Sequence, residues 1–303
     1  MENKFYQLKS AEEIIDFVGM HELNHTYYCH YSTLNKMDKI LNNEYLWLSN
    51  LDSFNDLDEG DLAGNDENLF GLCFSALYSE NLPMWYLYGG ITGQGARITF
   101  KKAAFNKWLK SLEFVLLLTD TQEVKEYKPL FVKSHDVIYA SLEEEKNICR
   151  LKYNGGVNKN LSVEEYGKLK EMHKGFIKAL PWFYEKEFRI LVRVDDEIAG
   201  QLNSQNSQIK LAVKLGSYNN FDVMLGPESV ITDYSSYHGF TKFLSAKIQK
   251  SSFSKVKMDL LKRNKESIVD DISQWYDEKF SENICRYIHS KNNCTNSKQE
   301  DNK

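Results

Sequence analysis

Two short stretches hold the residue types that could carry chemistry. In WFYEKEFRILVRV, residues 182–194, strand alternation puts Glu185, Glu187 and Arg189 on one face and Tyr184, Phe188, Ile190 and Val192 on the other. Two carboxylates about 7 Å apart on one face repel each other, and Glu is a poor strand former. The pattern is therefore unusual for a purely structural strand; its bland alternative is a surface Glu187–Arg189 ion pair worth little. In TYYCHYS, residues 26–32, Tyr28, His30 and Ser32 share one face and Tyr27, Cys29 and Tyr31 the other. A histidine in an aromatic strand is more often a hydrogen-bonded core residue than a catalyst, but this one stands at a strand end, where pockets form. Ser75 closes LCFS in a similar place.

Cleavage of an N-glycosidic bond would use these groups. Its transition state has oxocarbenium character, which a nearby carboxylate stabilises. The same carboxylate can hold a ribose hydroxyl or deprotonate the attacking group. Trp47, Trp85 and Tyr88 are candidates to stack on a nicotinamide ring. Other signatures are missing: the sequence has no G-x-S-x-G, H-E-x-x-H or Walker A motif. His21 and His25 lack a third metal ligand of obvious spacing. GGITGQG precedes a strand instead of opening a helix, so it reads as a tight connection and not a dinucleotide fingerprint.

The elements that must position these residues follow from pattern. Ser10 and Glu13 form a capping box for a helix over 10–18. After the strand 26–32, Ser32 or Thr33 caps a helix whose Leu34, Met37, Ile40 and Leu41 share a face. Strands are expected at 45–49, 70–75, in ARITF, in WFYEKEFRILVRV, in IKLAVKL and in FDVML, with a helical turn over 82–88. Residues 101–180 read as mostly helical, with a loop at Gly155-Gly156. Residues 51–70 hold seven acids and no Lys or Arg, an acidic loop in which Leu57 would occupy a ligand position of an EF-hand and so excludes it.

The chain has 303 residues, 42% hydrophobic and 27% charged, with net charge −5. That is enough to bury a core without disulfides, and the charge does not favour nucleic acid. Five scattered cysteines without C-x-x-C argue against a disulfide framework or zinc site and for a reducing cytoplasm. No apolar run reaches membrane length, and the N-terminus lacks a signal-peptide pattern. Residues 241–265 carry seven Lys and one Arg against one Asp. In 266–290, Ile268, Ile272, Trp275, Phe280, Ile284 and Ile288 form an amphipathic stripe too apolar to leave wet, an expected docking face for another surface or a protein partner.

Six motifs in order, HYSTLNKMDKILNNEYLWLSN, FND, CFS, LPMWYLYG with ARITF, WFYEKEFRI and VMLGPES, resemble a bacterial family of unassigned function over residues 28–230. Here the family's FND-P-F-E is FNDLDEG and its CFSE is CFSAL. That family is in turn similar to the ADP-ribosyltransferase fold, with a first strand bearing His or Arg, a second bearing a hydroxyl and a late strand bearing the catalytic Glu. The resemblance implies His30 as the first-strand NAD-binding residue, Ser75 as the hydroxyl, and Glu187 as the catalytic glutamate with Glu185 two before it. It also implies a setting among mobile and defence genes, hence a toxin-type effector in anti-phage defence.

The resulting expectation is an α+β chain: an ADP-ribosyltransferase-like mixed sheet core with helical insertions over 1–240, a basic and amphipathic helical extension over 241–290 and a disordered tail over 291–303. The expected activity is NAD-consuming, of ADP-ribosyltransferase or NAD glycohydrolase type, with a protein or nucleic-acid acceptor. Catalytic candidates are Glu187, Glu185 and His30. NAD-binding candidates are His30, Tyr31, Ser32, Trp47, Ser75, Trp85, Tyr88 and Arg189, with no metal. His30, Ser75 and Glu187 are expected to converge on one pocket from the same side of the sheet, and any pair on opposite sides would count against the transferase reading. The rivals are a metal-dependent nuclease or nucleotide hydrolase using Asp56, Asp58 and Glu59, and a non-catalytic nucleic-acid or protein-binding module using the basic segment 241–265.

Overall fold

A computed structural model describes residues 5–20, 25–54, 66–77, 79–90, 93–118, 121, 123–153, 157–204, 207–216, 220–229, 236–243 and 248–255. Helix α1 (Ala11–Met20) opens on the expected capping box. Ser10 Oγ accepts from the Glu13 amide at 3.3 Å while the Glu13 carboxylate accepts from the Ser10 amide at 3.4 Å. Strand β1 (Tyr27–Thr33) runs straight into α2 (Leu34–Asn43). Thr33, not Ser32, is the cap: its Oγ1 accepts from the Lys36 amide at 3.4 Å. Thr33→Ala is expected to cost about 1 kcal/mol in urea denaturation; a cost equal to that of Ser32→Ala would dismiss the cap.

The chain continues through β2 (Tyr45–Trp47), β3 (Ser49–Asn50), β4 (Leu69–Ser75), α3 (Leu82–Tyr88), β5 (Gly95–Lys101) and α4 (Lys102–Leu109). Six strands follow: β6 (Phe114–Leu118), β7 (Val124–Tyr127), β8 (Phe131–Asp136), β9 (Ile138–Glu143), β10 (Ile148–Tyr153) and β11 (Val157–Ser162). Then come α5 (Val163–Met172), β12 (Ile177–Ala179), a 3-10 helix over Leu180–Glu185 and β13 (Glu187–Arg193). The described part ends with α6 (Asp196–Asn203), β14 (Ile209–Lys214), β15 (Phe221–Leu225), α7 (His238–Phe243), β16 (Ile248–Lys250) and a 3-10 helix over Ser252–Lys255.

The fold is α+β. Its main sheet has the order β16-β15-β5-β1-β4-β13-β8, with β3 on β4; β15–β16 is parallel and the other pairs are antiparallel. One face carries Tyr28, Ile98, Phe100, Phe74, Phe188 and Ile190, packed against Met37, Ile40 and Leu41 of α2 and Phe105 and Trp108 of α4. Each such side chain removed from water stabilises the fold by about 1.5–3 kcal/mol. Two four-stranded sheets, β11-β10-β9-β12 and β2-β14-β6-β7, flank it.

Three expectations need correction. Residues 101–180 hold about twice as much strand as α-helix, so the expected helical insertions are largely strands. Lys, Glu and Leu there resemble helix composition, but the segments pair as strands, and several charged side chains face solvent, as in Val124–Tyr127. WFYEKEFRILVRV is not one strand. Pro181, without an N–H, starts a 3-10 helix, and Lys186 at φ 48° kinks the backbone before β13 begins at Glu187. Within the expected helical extension, Ile248–Lys250 is a strand, because β15 offers it an unpaired edge. The acidic loop residues Asp56, Asp58 and Glu59, His21, Gly155-Gly156, and the amphipathic helix over 266–290 with the tail 291–303 lie outside the described residues.

Candidate functional site

The main sheet parts at its centre. Cys29 on β1 stands opposite Ser75 on β4, and Ser75 opposite Glu187 on β13. Beyond Cys29, β1 follows β5 residue for residue up to Thr33, while Cys29–Ser75 is the single register pair between β1 and β4 among the described residues. The strands diverge there, and a cavity of about 410 Å³ opens between them.

His30, Ser75 and Glu187 all line this cavity, as expected, but not from the same side. Register puts Ser75 and Glu187 on one face with Cys29, and alternation puts His30 on the other with Tyr28. His30 reaches the cavity because its ring takes the place of the missing ladder. Its Nδ1 lies 3.0 Å from the Cys73 carbonyl oxygen. A carbonyl only accepts, so Nδ1 carries the proton and Nε2 is left as an acceptor. Burial holds the ring's pKa below the usual histidine value, although the Cys73 bond opposes this, so His30 is neutral at pH 7.

The floor is a buried ionic cluster. Lys178 Nζ donates to Glu185 Oε2 at 2.8 Å and to Glu187 Oε2 at 3.3 Å. Arg189 Nε donates to Glu187 Oε1 at 2.6 Å, and its Nη1 to the Gly175 carbonyl at 2.7 Å. Tyr88 donates to Glu185 Oε1. The Glu187 amide donates to the Tyr139 hydroxyl at 2.8 Å, and Ser75 Oγ donates to the Glu185 carbonyl at 2.7 Å. Glu185 and Glu187 are 2% and 5% exposed.

Environment splits the two acids. Burial raises the pKa of Glu185 to about 7; Lys178 opposes this and Glu187 adds to it. Burial would raise Glu187 as well, but Arg189 and Lys178 outweigh it and hold its carboxyl below the usual range. One floor thus holds a fixed carboxylate beside a group that can exchange a proton near neutral pH.

Of the expected NAD-binding residues, Tyr31, Ser32, Trp47 and Tyr88 line the cavity along with His30 and Ser75. Trp85 does not: it is fully buried, packs edge-on against Tyr31 and donates to Glu80. Arg189 does not line it either; it stands behind Glu187 as the partner that keeps that carboxylate ionised.

Strands β1, β2 and β13, helix α3 and the 3-10 helix before β13 thus bring an acid pair, a neutral histidine and aromatic rings to one cleft. Residues 84–190 match the family model DUF2971, described as a protein of unknown function. No curated protein matches the chain, and no solved structure does. The DUF2971 segment supplies Tyr88, Lys178, Glu185 and Glu187, while His30, Trp47 and Ser75 come from outside it. Lys178, which sequence reasoning missed, also belongs to it. Its trace was a single charge inside the apolar run Phe176–Ile177–Lys178–Ala179, since a buried lysine there requires an acid partner.

Trp47 and Trp85 are expected to separate by mutation. Trp47→Ala should weaken binding of a ring-bearing ligand about fivefold or more, with less loss of stability than the roughly 3–5 kcal/mol expected for emptying the core at Trp85. Calorimetry with nicotinamide or NAD alongside urea melts measures both. Equal binding by parent and Trp47→Ala would remove Trp47 from the site.

Proposed function

We propose that the protein is an NAD-consuming enzyme of the ADP-ribosyltransferase type, cleaving the bond between nicotinamide and ribose. The observation that carries this reading is the parted β1–β4 junction. The strands bearing His30, Ser75 and Glu187 are neighbours in the order β1-β4-β13, and the cavity lies where the first two separate.

The cavity suits an elongated ligand with unlike ends. Its acidic floor is level with Cys29; four residues along β1, about 13 Å away, stand Thr33 and then Lys36 in the first turn of α2, both lining the same cavity. The ionised Glu187 supplies negative charge for an oxocarbenium-like carbon. Lys36 supplies positive charge suited to a phosphate. Trp47 and Phe54 offer rings along the wall.

No helix among the described residues is long and apolar enough to cross a membrane. Cys29, Cys73 and Cys149 form no disulfide, which supports a cytoplasmic site of action. Consumption of NAD there would make the enzyme a toxin-type effector. The test is nicotinamide release from NAD by the full chain, with the shift in melting temperature that NAD causes. Nicotinamide release is common to transfer and hydrolysis, so it tests the reading whatever the acceptor. Neither release nor a shift at millimolar NAD would sink it.

A further inference from the structure

We infer that the acceptor of the ADP-ribosyl group is water, so that the chain is an NAD glycohydrolase; this rests on the NAD-cleaving reading proposed for the same cavity. The depth and engagement of the acid pair carry this inference. A base that serves a protein or nucleic-acid nucleophile has to stand where a side chain of another macromolecule can reach it. Here both candidates sit on the floor, 2% and 5% exposed.

All four carboxylate oxygens are already held. Tyr88 and Lys178 hold those of Glu185, and Arg189 and Lys178 those of Glu187. A carboxylate oxygen can accept a second hydrogen bond, which lets Glu185 take one from a water or a ribose hydroxyl. The kink at Lys186 keeps Glu185 off the strand and packed beneath Tyr88, instead of on an exposed strand face where an acceptor could dock.

The step balances with water alone. The bond from the ribose carbon to the pyridinium nitrogen breaks, and its electron pair stays on the nitrogen, so nicotinamide leaves neutral. The water oxygen bonds to the ribose carbon, and the proton that it loses passes to the Glu185 carboxylate and from there to solvent. The products are ADP-ribose, nicotinamide and one proton. Because burial places Glu185 near neutrality, an ionised fraction is available at pH 7 to take that proton.

The experiment incubates the full chain with NAD, alone and with added bacterial protein extract or total nucleic acid, and quantifies nicotinamide, free ADP-ribose and macromolecule-bound label. One free ADP-ribose per nicotinamide, unchanged by either addition, is the expected result. Label moving onto protein or nucleic acid at the expense of free ADP-ribose overturns the inference and leaves the NAD-cleaving reading standing. No nicotinamide release overturns both. Glu185→Gln is expected to slow release by about 10²-fold and to abolish the rise in rate with pH near neutrality. Persistence of that rise in the variant would remove Glu185 as the proton acceptor.

Discussion

Glu187→Gln is expected to lower nicotinamide release by about 10²–10⁴-fold, more than any other single change in the cavity. The amide keeps the shape and one acceptor but loses the charge that would stabilise an oxocarbenium-like centre. The loss should appear at every pH from 5 to 9, because Arg189 and Lys178 keep the Glu187 carboxyl below the usual range and hence ionised throughout that window. Arg189 keeps its bond to the Gly175 carbonyl in this variant, and Lys178 keeps Glu185, so the chain should still fold. Rates are therefore compared per folded molecule, with circular dichroism as the check. Arg189→Ala should behave differently. It leaves Glu187 buried with one cation fewer, and its larger effect is expected on stability, at about 3–5 kcal/mol. Undiminished release by Glu187→Gln at equal folded protein would remove the assignment.

The capping box at Ser10, the cap before α2, and the strands that carry His30 and Ser75 were all legible in the sequence. Each depends on local chemistry: a hydroxyl before a helix, or a β-branched and aromatic run bounded by polar residues. The acid pair was legible as a pair, but its geometry was not. Alternation predicted two carboxylates on one face of one strand. The backbone instead kinks at Lys186, and the carboxylates meet through Lys178. That lysine comes from β12, a strand of a different sheet, and no spacing within WFYEKEFRILVRV could announce it. His30 leaves the sheet on the side opposite Ser75 and Glu187, which counts against the transferase expectation, although all three line one cavity. Alternation fixes which face a side chain leaves from, but the parting of β1 from β4 lets a residue from the opposite face enter the same cleft. The strands of 101–180 were hidden by exposed charged residues of helix-like composition, such as Lys125 and Glu126 in β7 and the Arg150–Glu143 pair across the β9–β10 hairpin.

Lys178→Met is expected to be strongly destabilising, at about 3–5 kcal/mol near neutral pH. The ammonium is 2% exposed and serves both carboxylates. Without it Glu187 retains Arg189, whereas Glu185 keeps Tyr88 and the adverse charge of Glu187. The pH dependence follows from these shifts. Glu185 already titrates above an ordinary glutamate in the parent, because of burial. An acid with a raised folded pKa favours the folded state as pH falls from that value toward the unfolded one. Removing Lys178, which lowers the pKa of Glu185, should raise it further and make its ionised form costlier. The stability gap between parent and variant should therefore be widest above pH 7 and narrow toward pH 5, where Glu185 is protonated in both. Glu187 contributes in the opposite sense: its stabilisation is present above the ordinary glutamate range and is lost only in stronger acid, so it does not close the gap between pH 5 and 8. A second change, Glu185→Gln in the Lys178→Met background, should recover part of the loss, since a neutral amide beside Tyr88 needs no counter-charge. Urea melts at pH 5, 6, 7 and 8 of the parent and both variants measure this. A gap that stays constant across that range, with no recovery in the double variant, would show that Lys178 acts by packing and not by dividing charge between the two carboxylates.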